Sequence, residues 1–353
     1  MKLKQIALLG FTSVLLTACN GTASNTSFSL FESTPCLDQF YQDIPPYLYQ
    51  PKLKKDSYAL CYNGLTILYS GVSKTPLWVA EKLTPERLAN RPKRQNQFIE
   101  EQRLKSEHQS LLKHYRGSGF DRGHMAPNGD MGTVESQTDS FTLTNIVPQH
   151  PKHNQNVWRE LEEATRAVMS KNKAQVKEAY IITGTLFETA SLQRIGGNGG
   201  VIVPTALFKA VYYPDLGVIG AYYSPNDERQ NVEIISVCEL ERKAGITLFP
   251  QLSNEQKRQV YDLPRSANQV KRQQGIAMLR KEDRSCGTKI PAERLTWMKQ
   301  QFKWGHVEPI DYSTLPSNER SSATSETQQT SPSNSDINHW LSRVFSWFIQ
   351  NNF

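Results

Sequence analysis

Asp121-Arg122-Gly123-His124, followed by Met125-Ala126-Pro127 and then by Asn145, Asn154, Glu162 and Arg166, is the pattern that most constrains this chain. The glycine before His124 and the proline-containing turn after it place the imidazole where a strand ends and the chain changes direction. From Gln155 to Lys171 the apolar residues recur at helical spacing, so Asn154 begins a helix, with Glu162 eight residues further on and Arg166 one turn beyond that. A strand, a turn and a helix thus have to meet at one place. A lone histidine, neutral amides, one acid and several arginines suit phosphodiester hydrolysis. A strongly hydrated metal ion needs few protein ligands, imidazole can deprotonate a water, and guanidinium groups cover anionic oxygens.

The first eighteen residues indicate where that chemistry takes place. Lys2 and Lys4 precede an apolar run from Ile6 to Leu16, too short to span a bilayer, and Leu16-Thr17-Ala18-Cys19 closes it. This looks like a bacterial lipoprotein signal peptide. The resemblance implies cleavage before Cys19, lipid on its thiol and new amino group, and a firm hold on a membrane surface. Asn20 after the cysteine resembles the outer-membrane sorting pattern, so the expected location is the cell envelope, lipid-anchored at the outer membrane. The other reading is an ordinary secretory signal with a chance cysteine.

The whole chain carries a formal charge of +7, and loss of Lys2 and Lys4 leaves 39 basic against 34 acidic side chains. That balance is compatible with a polyanionic partner without requiring one. Four cysteines remain beyond Cys19, and an even number in an exported chain reads as two disulfides. Sequence order suggests Cys36 with Cys61 and Cys238 with Cys286, out of three available connectivities. A zinc site lacks any Cys-x-x-Cys pair or close Cys/His cluster to support it.

Composition divides the remainder. Residues 19–35, rich in Ser, Thr and Asn, read as a flexible tether, and residues 36–310 hold nearly all the periodic apolar segments of one domain. Residues 311–335 become a low-complexity linker that has too little apolar surface to offset the entropy of folding. In 336–353, Ile337, Trp340, Leu341, Val344, Phe345 and Phe348 fall on one helical face, which reads as an amphipathic helix able to dock on the domain, a partner or a membrane surface. Strands are expected at Leu65–Tyr69, Leu77–Ala80, Ala179–Gly184, Val201–Val203, Leu207–Tyr213 and Val218–Tyr223. Helices are expected at Gln155–Lys171, around Glu239–Gly245, at Asn254–Tyr261 and at Pro291–Lys299. The regular alternation of a parallel doubly wound sheet is absent, leaving an α+β fold.

Tyr115 to His124, Thr144-Asn145-Ile146-Val147-Pro148-Gln149, Asn154 to Trp158 and Leu161-Glu162 together resemble the DNA/RNA non-specific endonucleases, the endonuclease G-like ββα-metal nucleases. Order and spacing hold through Arg166, and weaker similarity, including Thr183-Gly184-Thr185 and Pro204 to Lys209, extends across most of residues 60–250. The resemblance implies a ββα-metal (His-Me finger) core on a mainly antiparallel sheet flanked by helices. It also implies Mg²⁺-dependent hydrolysis of DNA and RNA to 5′-phosphate ends, with Mn²⁺ able to replace Mg²⁺.

Residue by residue, the resemblance makes His124 the general base, a role that an unperturbed imidazole with a pKa of about 6.5 could fill near neutral pH. Asn154 becomes the direct metal ligand, although Asn is also a leading helix-capping residue and the two roles compete for one oxygen. Glu162 lies roughly 12 Å further along a helix, too far to join Asn154 as a second direct ligand, and is assigned to metal-bound water. Arg166 either pairs with Glu162 at i,i+4 or meets the scissile phosphate. Asn145 is expected to orient water, His124 or phosphate, with a turn role before Pro148 as the alternative. Arg122 is placed on the phosphate or bracing its loop. An upstream arginine before an aromatic residue is taken to be Arg94, ahead of Phe98, with Arg91 close by.

His150 and His153 flank Pro151-Lys152 and could suggest zinc with His124, but surface or groove roles fit better. Gly196 to Gly200 lacks the lysine and helix of a phosphate loop and reads as a turn. The Arg/Lys-rich stretch Arg87–Arg103 could touch nucleic-acid backbone or form a solvated face. A non-catalytic nucleic-acid-binding envelope lipoprotein is the alternative function, and it would need the basic groove but not His124 or Asn154. A homodimer is left open.

Overall fold

The computed structural model describes residues 36–316 apart from 288, 304 and 306. The leader, Cys19, the 19–35 tether, the linker beyond 316 and the 336–353 helix all lie outside the described residues. The strands that position the motifs are β1 (Ser57–Tyr62), β2 (Leu65–Ser70), β3 (Thr75–Leu83), β4 (Asp121–His124), β5 (Ile146–Gln149), β6 (Ala179–Leu186), β7 (Ala206–Tyr213), β8 (Val218–Pro225) and β9 (Glu233–Ile235). All but β4 and β5 form a seven-stranded sheet in the order β9-β8-β7-β6-β3-β2-β1, antiparallel at every pairing. Pro76 has no N–H to give the ladder, and the register slips between Leu68 and Tyr69 where β2 meets it.

β2, β6 and β7 are buried at every position, unlike the strands of an antiparallel sheet with one wet face. Period-two alternation here separates two cores. Leu60, Ile67, Val79, Ile181 and Val211 face one side, and Ala59, Leu68, Trp78, Ile182 and Phe208 face the other. The first face is covered by α1 (Arg159–Lys171) through Leu161, Ala164 and Val168. The second is covered by Leu240 of α2 (Val237–Ala244) and by Met298 and Phe302 of α3 (Ala292–Lys303). Ser236 caps α2 by accepting from the Glu239 N–H, and Gly245 ends the helix at φ +69°.

The β4–β5 hairpin stands outside the large sheet, with His124 opposite Ile146. A third apolar cluster of Tyr115, Leu143, Ile146, Ile195, Val201 and Val203 packs with it. Gly196 to Gly200 forms the expected turn, between short strands at Arg194–Ile195 and Val201–Ile202. Both disulfides pair as sequence order suggests, Cys36 with Cys61 and Cys238 with Cys286.

Two expectations change. The helix read over Asn254–Tyr261 stops at Lys257, and Gln259–Tyr261 pairs as a strand with Met278–Lys281, as Val260 and Tyr261 favour. Packing also continues past residue 310: Leu315 is buried and the Tyr312 hydroxyl meets Ser57 Oγ at 2.9 Å.

Candidate active site

The local fold of the motif depends on Gly123. A Cβ there would collide with the Gln149 side chain, which crosses the hairpin to reach His153 Nδ1 at 2.7 Å. His153 is fully buried, with its other ring nitrogen 2.8 Å from Ser224 Oγ, and so pins the start of the following helix to β8. That helix opens with a π-helical turn, His153–Trp158, which continues without a break into α1. In a regular α-helix eight residues make about 2.2 turns and would leave Asn154 and Glu162 roughly 80° apart. A π-turn absorbs one extra residue, which brings both onto one face. Asn154 and Glu162 accordingly line one cleft of about 640 Å³, together with His124, Arg94, Arg122 and Arg166.

Asn154 is not a helix cap. Its backbone N–H donates to His150 O at 2.9 Å inside the helix, and its side-chain Nδ2 donates to Asp121 Oδ2 at 2.9 Å. A carboxylate only accepts, so Asp121 takes the amide nitrogen and leaves Oδ1 for the cleft. Gln155 Nε2 donates to the same carboxylate oxygen at 2.8 Å. The donor set fits a hydrated divalent ion: one oriented amide oxygen and, further along the helix, one carboxylate. Among the described residues no group of three or more His, Cys, Asp or Glu could hold a metal, which sets aside the zinc reading of His150 and His153.

His124 sits in an aromatic corner. Phe141 meets its ring edge-on at 4.9 Å between centroids, and Phe98 lies at 5.7 Å. Its Nε2 is shielded from solvent and makes no hydrogen bond. Burial first, and then the charges of Arg94 and Arg122, push the imidazole down to a pKa of about 3. The ordinary value near 6.5 expected from sequence is therefore corrected for the free protein. An imidazole in this corner is neutral at neutral pH, and an anion placed between it and the two arginines would raise its basicity.

The remaining expected residues divide. Arg94 and Arg122 both reach the cleft, whereas Arg91 bonds to Leu88 O. Arg166 does not close the i,i+4 pair with Glu162; its Nη1 donates to the buried Asp130 carboxylate at 2.6 Å. Burial raises the Glu162 carboxyl to about 7, against the pull of Lys209 and Arg166. Asn145 departs most from expectation. Its side chain is fully buried and committed to backbone, with Oδ1 accepting from Ala126 N–H and Nδ2 donating to Ala126 O and Ser140 O. It fixes the turn after His124 and has no polar atom left for water or phosphate.

Sequence reasoning gave no role to Asp121, Asp130 or Lys209. Lys209 is 1% exposed, donates to Thr183 Oγ1 at 2.7 Å and lies 5.6 Å from the Trp158 ring centre. A lysine inside the otherwise apolar run Leu207–Tyr213 was the available signal, since lysine is almost never fully buried without a partner.

Comparison with known proteins agrees with this geometry. Residues 45–255 match the model of the family described as DNA/RNA non-specific endonuclease. Human mitochondrial endonuclease G is 32% identical over 216 residues, which is 56% of this chain and 69% of that protein. The mitochondrial nuclease EXOG of Danio rerio is 33% identical over 57% of this chain and 63% of its own length. A nuclease of Nostoc sp. is 33% identical over 57% and 77% respectively. A chain of the EndoG/EndoGI complex superposes with a TM-score of 0.50 at 23% identity, covering 57% of this chain and 89% of that one, a likeness of fold. The chain belongs to the DNA/RNA non-specific endonuclease family and is a nuclease, a hydrolase of phosphodiester bonds.

Proposed function

We propose that this protein hydrolyses DNA and RNA with little sequence preference, using one divalent ion, Mg²⁺ by preference, and leaving 5′-phosphate ends. The observation that carries the reading is the convergence of His124, Asn154, Glu162, Arg94, Arg122 and Arg166 on one cleft. His124 takes a proton from the attacking water. Asn154 Oδ1 is the direct ligand of the ion. Glu162, still roughly two turns along the helix, holds metal-bound water. When bound, the ion supplies positive charge to the phosphate and the leaving oxygen. Arg94 and Arg122 receive the phosphate oxygens, and Arg166, held by Asp130, adds charge from the helix side. Contacts to phosphate carry no base information, which accounts for indifference to sequence and sugar. Cys19 is proposed to carry the lipid that holds this activity in the cell envelope, and replacing it with Ser is expected to move the protein from the membrane to the soluble fraction.

The direct test incubates the purified protein with plasmid DNA and with RNA, in Mg²⁺ or EDTA, beside His124→Ala. Cleavage of both polymers in Mg²⁺ alone, lost in the variant, is expected. Binding without Mg²⁺-dependent cleavage would overturn the enzymatic reading in favour of a nucleic-acid-binding envelope protein.

A further inference from the structure

Two aromatic rings touch every cationic or basic group on the hairpin side of the cleft. Phe98 and Phe141 pack edge to face at 5.1 Å, with an interplanar angle of 85°, and both contact the His124 ring. The Arg122 guanidinium carbon lies 4.2 Å from the Phe98 ring centre, and that of Arg94 lies 5.5 Å from the Phe141 ring centre. Arg94 is held further by donating its Nε–H to Asn96 Oδ1 at 2.7 Å. Both arginines are exposed. An exposed arginine normally samples many rotamers, and ordering it on a ligand costs entropy. A guanidinium resting on a ring face keeps its N–H edge free for two phosphate oxygens in its own plane.

We propose that Phe98 and Phe141 are positioning residues that lock Arg122, Arg94 and His124 into one rigid unit, so that the phosphate-binding guanidiniums and the base are already registered before substrate arrives. The proposal rests on the nuclease reading. Phe98 is the ring to test, because it is half-buried whereas Phe141 is core.

The experiment measures binding of a fluorescent single-stranded DNA oligonucleotide in EDTA across a salt series, for wild type, Phe98→Leu, Phe98→Tyr, Arg122→Gln and Phe98→Leu/Arg122→Gln. Phe98→Leu keeps the apolar volume and removes the π face. It is expected to weaken binding about fivefold and to flatten the log–log salt slope by about one. Phe98→Tyr keeps the ring and should stay within about twofold of wild type. In the double variant Arg122→Gln should cost much less than it does alone, since its orientation is already lost. Independent, multiplying effects of Phe98→Leu and Arg122→Gln, or a Phe98→Leu protein that differs only in thermal midpoint, would overturn the proposal. If Phe98→Leu does not fold, Phe98→Met is read by the same criteria. A wild type that cleaves and binds while the two Phe98 variants behave alike sinks this proposal alone, whereas a wild type that does neither sinks the nuclease reading and this with it.

Discussion

His124 and His153 are enclosed by the same hairpin-and-helix unit, and burial lowers the pKa of both, to about 3 and about 4. Their surroundings differ. His153 has both ring nitrogens engaged, by Gln149 and Ser224, and stacks near Trp158 at 5.4 Å between ring centres. His124 has aromatic walls, two arginines nearby and a shielded Nε2 with no partner. A buried polar atom left unpaired costs about 1–3 kcal/mol, so folding alone would have satisfied both imidazoles or replaced both. The fold satisfies one and leaves the other reactive. The pair separates a histidine that holds the site together from one available for chemistry.

The widest test of that contrast replaces each ring. His124→Ala should lower kcat by about 10²–10⁴-fold, the usual loss of a general base. It should leave the thermal midpoint unchanged or raised, because an unpaired polar atom leaves the interior. His153→Ala should instead destabilise by on the order of 3 kcal/mol, from two lost hydrogen bonds and an unfilled space, with activity following the folded fraction. Calorimetry and initial rates on the two proteins decide it. Equal losses of midpoint would erase the distinction.

Asp121 does for Asn154 what Gln149 does for His153, and a milder change tests that parallel. Asp121→Asn keeps the shape but offers Asn154 a partner that can donate as well as accept, so the amide is free to turn its nitrogen to the cleft. Affinity for Mn²⁺, read by calorimetry or electron paramagnetic resonance, is expected to fall about 10–100-fold, with the fold intact. Unchanged affinity would mean that Asn154 needs no such orientation or is not the ligand.

These distinctions were only partly legible in the sequence. The spacing of Asn145, Asn154, Glu162 and Arg166 after His124 was enough to place the site and the family, because residue types at fixed intervals along one chain are what a sequence records directly. The antiparallel sheet was also legible, since β6 and β7 are long β-branched or aromatic runs. What escaped depends on partners distant in sequence. That Asn145 would use its whole amide on Ala126 and Ser140, or that Arg166 would choose Asp130 over Glu162, is decided by how the hairpin packs on α1. The π-turn escaped too, because one extra residue in a helix leaves no mark until His153 is tied to Gln149 and Ser224.

The smallest expected effect concerns how far the isolation of His124 persists once substrate is bound. Catalysis needs its neutral imidazole, so activity is lost as pH falls through its pKa. In the free protein that value is depressed by burial and by the charges of Arg94 and Arg122, and the acid limb of kcat/KM, which reports the free enzyme, should lie well below the range of an ordinary histidine. A phosphate docked on the two arginines offsets their charge, which favours the protonated ring and raises the pKa in the complex. The acid limb of kcat should therefore lie at higher pH than that of kcat/KM, by about one unit or more. Arg94→Gln should narrow the gap from below, by raising the free-enzyme value while leaving less charge for substrate to offset. Superimposed limbs would mean that the phosphate does not sit between His124 and these arginines, and that the aromatic walls alone set its basicity.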